Sequence, residues 1–361
     1  MTIKESQSYN VIGLMSGTSL DGVDIAFCRF KIDSNKWDYT IIYAETIPYQ
    51  AVWKQRLLNL EKAETVAFQQ THVEYGLYLG QLVADFIKKY AIQVDFVSSH
   101  GHTIFHQPNK RFTVQVGAGN AIAAECRLPV VCDFRSLDVA LGGQGAPLVP
   151  IGDKLLFGEY DFCLNLGGFA NVSYQYNDER IAFDICPVNI VMNAVCQALG
   201  KEYDNGGELA SKAIINQCLL DDLNKLAFYH YPLNSPKSLG KEWVLKNINP
   251  LLKKYPVNES TVLRTFCEHI AIQIAKALNG QPNGELLVTG GGVYNTFLIE
   301  TIKKYVYHQL IIPDKNTIEF KEALIFAFLG VLRVRNENNC LKSVTGAKYD
   351  NCGGAVYSGK I

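Results

Sequence analysis

Apolar and polar positions along this chain switch between two periods. Residues 11–15 and 23–28 are apolar runs of strand length separated by a short polar loop. That pattern predicts strand, tight loop, strand. Residues 66–90 change to a helical period, clearest at Leu79, Leu82, Val83, Phe86, Ile87 and Tyr90. Residues 94–98 read as a short strand that ends in the polar stretch Ser99-His100-Gly101-His102-Thr103. Strand 112–116, helix 120–126 and strand 129–134 follow, then a turn-rich stretch through Gly142-Gly143-Gln144-Gly145-Ala146-Pro147. The alternation restarts at 161–166 with a strand, a Gly167-Gly168 turn, a second strand over 170–176, a third over 180–184 and a helix over 189–199. Residues 200–258 read as mostly helical and irregular, and 261–278 as helix. Residues 286–289 form a buried strand that leads through Gly290-Gly291-Gly292 into a helix over 295–305. Residues 322–333 form an apolar helix ahead of a turn-rich tail.

Both halves therefore open with an apolar strand, a glycine turn and a second strand, a duplication of architecture rather than of sequence. The pattern predicts an α/β fold of two lobes around a central cleft. Residues 1–158 form the first lobe, completed by the C-terminal tail, and 159–340 form the second. Ligands of such sheets sit beyond the carboxyl ends of strands, and the candidate chemistry gathers there. In the first loop, Gly17 and Gly22 permit a sharp turn and close approach of a ligand. Its N–H groups can form an anion-binding concavity, to which the hydroxyls of Thr18 and Ser19 add donors. Asp21 and Asp24 would repel a bare phosphate and suit one that arrives with Mg²⁺. The competing reading is an ordinary glycine-rich hairpin. Gly167-Gly168 occupies the corresponding place in the second half, so the two loops could grip a triphosphate from both sides. Gly290-Gly291-Gly292, between a strand and a helix, permits close approach of a base or sugar. Asp184 ends its strand just ahead of Pro187, as a helix N-cap or as a general base. Arg135 offers a planar fork for a carboxylate or phosphate, or pairs with Asp133 or Asp138. His100, His102 and His106 have a spacing that allows zinc, hydrogen bonding to a polar ligand, or structural roles.

Composition narrows the classes. The 361 residues, 48% of them hydrophobic, suffice for two cores. A formal net charge of −1 without a long basic run argues against nucleic acid or an anionic membrane as the main partner. The polar start lacks the apolar core of a signal peptide, and the longest apolar run, 323–332, is too short to span a bilayer. Ten scattered cysteines without a C-x-x-C pair indicate a reducing, cytoplasmic setting. Cys186 is the one thiol inside a candidate site.

The stretches 13–24, 101–108, 133–150, 165–172, 183–189, 290–295, 322–329 and 344–347 resemble, in order, the bacterial 1,6-anhydro-N-acetylmuramic acid kinases. These are relatives of actin, hexokinase and the large heat-shock chaperones, and the run 142–150 and the first loop are distinctive of the family. The resemblance implies an actin-like (ribonuclease H-like) ATPase fold and an ATP-dependent kinase of peptidoglycan recycling. Such an enzyme opens the anhydro bridge with water and phosphorylates O6, giving N-acetylmuramic acid 6-phosphate. It implies Asp184 as the base that activates the water. It implies that ATP meets Gly17, Thr18, Ser19, Leu20, Asp21, Gly22, Val23, Asp24, Gly167, Gly168, Gly290, Gly291 and Gly292. The anhydro-amino-sugar meets Thr103, Arg135, Asp138 and Asn189, with Arg135 on the lactyl carboxylate or the developing charge. Mg²⁺ falls to Asp21 and, through water, Glu322, and a homodimer is implied. One departure stands out. The family usually carries Asp-Thr-Gly-Pro-Gly-Asn around the base, and this chain has Asp184-Ile185-Cys186-Pro187-Val188-Asn189. Cys186 and Val188 add side chains where the backbone would pass close to ligands, and Ile185 removes a hydroxyl. That departure motivates a second reading, a non-catalytic ATP-binding regulatory protein on the same fold.

Overall fold

The long apolar runs become the central strands of two sheets in the computed structural model, which describes residues 7–17, 20–232 and 237–359. The chain divides into two compact units, one of residues 1–156 and 320–361, the other of residues 157–319.

In the first unit β1 (Ser8–Ser16), β2 (Gly22–Asp33) and β3 (Lys36–Pro48) form an antiparallel meander. β4 (Phe96–Gln107) pairs in parallel with β1 on its other side, β5 (Phe112–Val116) folds back on β4, and β6 (Val130–Cys132) runs parallel to β4. Val11, Ile12, Val23 and Ile25 are fully buried between neighbouring strands. The helix Thr65–Tyr90 lays Tyr75, Leu79, Val83 and Phe86 onto the core they share with Ile12 and Val97.

The second unit repeats the plan. β7 (Phe162–Leu166), β8 (Phe169–Tyr176) and β9 (Glu179–Pro187) form the meander. β10 (Glu285–Thr289) runs parallel to β7, and β11 (Gln309–Ile311) parallel to β10. The helix Glu259–Leu278 buries Phe266, Ile270 and Ile274 in the core that holds Leu164, Val172 and Val288. The chain ends in the first unit with β12 (Ala355–Tyr357), antiparallel to β6. This doubled sheet order, a meander extended by parallel strands on the far side of its first strand, is the duplicated α/β plan expected from the sequence. Among the described residues no helix is long and apolar enough to cross a membrane.

Several expectations change. Residues 320–340, expected in the second half, belong to the first unit. The helix Lys315–Arg335 packs there so closely that a Cβ on Gly13 would lie 2.0 Å from the Ala323 carbonyl oxygen, and Ser98 donates its hydroxyl to the Phe326 carbonyl. β4 does not stop at the histidines, because Ser98, Ser99, His100 and His102 are themselves buried strand residues. The stretch after β6 contains two helices, Ser136–Ala140 and Val149–Leu156. β9 runs on to Pro187, so Asp184 lies inside a strand, and Val188 takes the cap position of the helix Asn189–Ala198.

Candidate active site

In the first unit, β1 delivers its chain to the loop expected to hold phosphate. Thr18 and Ser19 lie outside the described residues. Leu20 adopts φ +59°, and its N–H donates to the Gly17 carbonyl at 3.3 Å. Asp21 is exposed, Val23 is fully buried, and Asp24 is half-buried and accepts the Thr46 hydroxyl at 2.5 Å. Gly22 is small for a reason other than the expected one. A Cβ there would lie 2.4 Å from the Ile47 carbonyl oxygen, so the neighbouring strand, rather than a ligand, demands glycine.

Arg135 makes no ion pair with Asp133 or Asp138. Its Nε and Nη2 both reach His100 Nε2 at 3.0 Å, and Nη1 donates to the Gly145 carbonyl at 2.6 Å. His100 Nδ1 donates to the Gly101 carbonyl at 2.9 Å, which leaves Nε2 as the acceptor Arg135 needs. Burial and the guanidinium charge hold His100 well below the usual histidine range. Burial also pushes Arg135 down to about 10, opposed by Glu322, Cys340 and Asp138. Glu322 keeps solvent access, yet the protein mass around it raises its pKa; Arg135 opposes the rise and Asp24 adds to it. Asp24, Arg135 and Glu322 thus form one electrostatic group. Thr103 lies on β4, where its hydroxyl accepts from Gln115 Nε2 at 3.3 Å.

The other histidines have separate partners. His102 Nδ1 meets the Ser16 hydroxyl at 3.0 Å, Ser16 meets Tyr49 at 2.5 Å, and Tyr49 meets Tyr75. His106 Nδ1 meets Thr113 Oγ1 at 3.2 Å. Among the described residues no three metal-ligating side chains converge.

Asp138 differs most from expectation. It is fully buried, and Oδ1 accepts from Cys340 Sγ (3.0 Å), Thr345 Oγ1 (2.8 Å) and Asn351 Nδ2 (2.9 Å). Oδ2 accepts the Gly145 N–H at 2.7 Å. The carboxylate organises the glycine-rich loop and is not presented to a sugar.

In the second unit, the two remaining glycine clusters prove to be one. Gly290 has φ +85°, and a Cβ there would lie 2.6 Å from Asn165 Oδ1 and 2.8 Å from the Leu166 carbonyl carbon. A Cβ on Gly292 would lie 2.7 Å from Leu166 Cβ. A Cβ on Gly291 would have Asn189 Nδ2 as its nearest neighbour, at 3.8 Å, and Asn189 Nδ2 itself donates to the Leu166 carbonyl at 3.3 Å. The Gly167 and Gly168 carbonyls accept from the N–H groups of Val188, Asn189 and Ile190, so this turn caps the following helix. Gly290→Ala should therefore cost about 2 kcal/mol or more of stability from left-handed strain and overlap together. A lowered urea midpoint checks this.

Asp184 sits beside an irregularity. Ala170 pairs with Cys186 and Asn171 with Asp184, so Ile185 is the extra residue of a bulge, a device that re-aims neighbouring side chains. Asp184 Oδ2 accepts the Leu239 N–H at 2.7 Å. Burial raises its pKa to about 6, with the Leu239 bond opposing. Ile185, Cys186 and Val188 turn inward, at 3%, 0% and 0% exposure, and join the core of this unit. The departure from the family pattern is thus accommodated in the packing of this unit. Burial pushes the Cys186 thiol far up, which keeps it protonated. Sequence reasoning missed Lys237 and Leu239, because an irregular segment carries no periodic signal.

The twin sheets define a duplicated α/β protein in which each unit carries glycine turns at the ends of its central strands. A family model described as anhydro-N-acetylmuramic acid kinase matches residues 9–359, and the chain belongs to that family. A relative of that name from Vibrio parahaemolyticus serotype O3:K6 is 35% identical, over 96% of this chain and 98% of its own. Another, from Pasteurella multocida, is 34% identical over 98% of both chains.

Proposed function

We propose that this kinase uses ATP and water to convert 1,6-anhydro-N-acetylmuramic acid into N-acetylmuramic acid 6-phosphate, with Asp184 as the general base. The observation that carries this reading is a desolvated Asp184 carboxyl with a pKa of about 6, next to a bulge and with one oxygen already fixed. Such a group is largely ionised at neutral pH and still basic enough to accept a proton. Asp184 takes one proton of water as the water oxygen bonds to C1. The C1–O6 bond breaks, and O6 bonds to the γ-phosphorus as ADP leaves. The remaining water proton stays on the new C1 hydroxyl. O6 never needs a proton, because phosphorus takes its electron pair directly.

The glycine turns at 17–24, 167–168 and 290–292 are assigned to ATP, and Thr103, Arg135 and Asn189 to the sugar. The His100 and Gly145 bonds hold Arg135 in a fixed orientation for an anionic group. The carboxylates Asp24 and Glu322 fit Mg²⁺, an oxygen-seeking ion commonly held by one or two carboxylates plus phosphates and water. The charge of Asp24 helps raise Glu322, a repulsion that a cation would relieve. Asp21, the carboxylate the resemblance implies, is exposed on the loop before β2 and stands apart from this pair. Bound by the pair, the ion would neutralise phosphate charge. ATP use and ten free thiols favour a cytoplasmic enzyme.

Mass spectrometry of products formed in ¹⁸O-labelled water tests the reading. One ¹⁸O at C1 together with a 6-phosphate is expected. Phosphorylated sugar without label would remove water, and with it the base, from the reaction. The kcat/KM for sugar should fall tenfold per pH unit below about 6, as Asp184 becomes protonated.

A further inference from the structure

One short segment holds Asp184 at two points. The Asp184 N–H donates to the Lys237 carbonyl at 3.0 Å, and two residues on, the Leu239 N–H donates to Asp184 Oδ2 at 2.7 Å. Asp184 Oδ1 has no hydrogen-bond partner among the described residues. The segment is anchored by its own side chain. The Lys237 ammonium lies over the Phe183 ring, 5.4 Å from its centre, and over the Phe228 ring at 4.9 Å. Phe183 directly precedes Asp184 in β9. Phe228 packs on Trp243 at 5.5 Å, at the start of the helix Lys241–Lys254. Tyr229 in turn hydrogen-bonds His269 Nε2 at 3.1 Å, and His269 Nδ1 meets Asn224 Oδ1 at 2.8 Å. His269 is fully buried and neutral, its pKa lowered by burial to about 3, so this anchor does not titrate near neutrality.

We propose that Lys237-Ser238-Leu239 is a positioning clamp for the base: Leu239 occupies Oδ2, Oδ1 is the oxygen that takes the proton of water, and the Lys237 cation–π contacts lock the clamp onto β9. The proposal rests on the reading of Asp184 as base. A carboxylate free to rotate would offer either oxygen in many orientations, and proton transfer rewards a fixed one. The clamp also tunes the base. Burial raises Asp184 and the Leu239 N–H lowers it, so losing that bond moves the pKa further up. The titratable group that feels this carboxylate is Cys186 on its own strand, and Cys186 in turn feels Lys237 on the segment and Tyr229. Cys186 and Tyr229 stay protonated and neutral through the working range.

Leu239→Pro removes the N–H and Leu239→Ala keeps it. The acid limb of kcat/KM should stay near pH 6 in Leu239→Ala and rise by about one pH unit in Leu239→Pro. At pH 7 kcat in Leu239→Pro should fall about tenfold or more, with KM for ATP unchanged. Lys237→Met should move the limb and kcat in the same directions, and Lys237→Arg, which retains a cation over both rings, should restore them. If Leu239→Pro fails to unfold cooperatively, the Lys237 pair decides. Wild-type limbs and kcat in Lys237→Met, or loss in Lys237→Arg equal to that in Lys237→Met, would overturn the clamp. Turnover retained in Asp184→Asn would instead overturn the base, whatever the Lys237 and Leu239 variants do.

Discussion

Asp184→Asn should lower sugar turnover by about a hundredfold to ten-thousandfold, the range expected when a positioned base is removed, while ATP binding stays close to wild type. The amide is nearly isosteric, and its oxygen can still accept the Leu239 N–H at Oδ2. The fold should therefore survive, and it should be more stable. Asp184 has a folded pKa of about 6, above the unfolded value near 3.8. Folding thus favours the protonated group. Its ionisation destabilises the native state once pH exceeds the unfolded value, and the penalty is complete above about 6. At pH 7 the shift of about two units corresponds to roughly 2–3 kcal/mol before discounting for partial solvent access. An asparagine that gains about 2 kcal/mol would raise the melting temperature by roughly 4–8 °C in a unit of this size. The gain should shrink as pH drops from 6 toward 4, where the native carboxyl becomes neutral. Calorimetry across that interval, with a coupled assay for turnover, checks both halves. An inactive variant with unchanged stability at every pH would mean the carboxylate is not desolvated. A fully active one would mean the base lies elsewhere.

That combination of poor solvation and function explains which parts of the site could be read from sequence. Strands with two buried faces announce themselves, as β1, β7 and β10 do, because nearly every residue is apolar. β3 was invisible because it alternates half-buried and exposed residues over Lys36–Pro48, with charges interspersed, as an outer strand does. β4 was cut short for the opposite reason. Its histidines and serines look like loop residues, yet their polar atoms are satisfied inside the protein: Ser98 by Phe326, His100 by Arg135 and Gly101, His102 by Ser16. Glycine clusters were legible as positions where a side chain cannot fit, but not as to what excludes it. At Gly22 the obstacle is β3 and at Gly290 it is the end of β7. Neither glycine needs a ligand to explain it. Asp184 stands out in the sequence as an acid after an apolar strand, and the resemblance implies its role, but its surroundings are not legible there. The bulge at Ile185 depends on pairing between residues 13 and 16 positions apart, and the donor at Leu239 lies 55 positions from its acceptor. No local pattern encodes such partners.

Asp138→Ala is the second large effect, and it separates a structural carboxylate from a sugar ligand. Four donors converge on this fully buried group, from Gly145, Cys340, Thr345 and Asn351. Alanine strands all four in a site closed to water, at a cost of about 3–5 kcal/mol. The loop is built around the carboxylate, since a Cβ on Gly143 would lie 2.2 Å from Asp138 Oδ2. Asp138→Asn should recover only part of the loss, because its amide donors face the donors already present. The damage should spread to chemistry by a definite route. Gly145 donates its N–H to Asp138 and accepts Arg135 through its carbonyl, so releasing the N–H frees the residue to shift and loosens the guanidinium. At a temperature where Asp138→Ala is still folded, kcat/KM for the sugar should fall while ATP binding remains. The denaturation midpoint should be lower whether or not sugar is present. A raised KM with a wild-type midpoint would instead assign Asp138 to the ligand. That outcome would require the buried cluster to open when sugar binds.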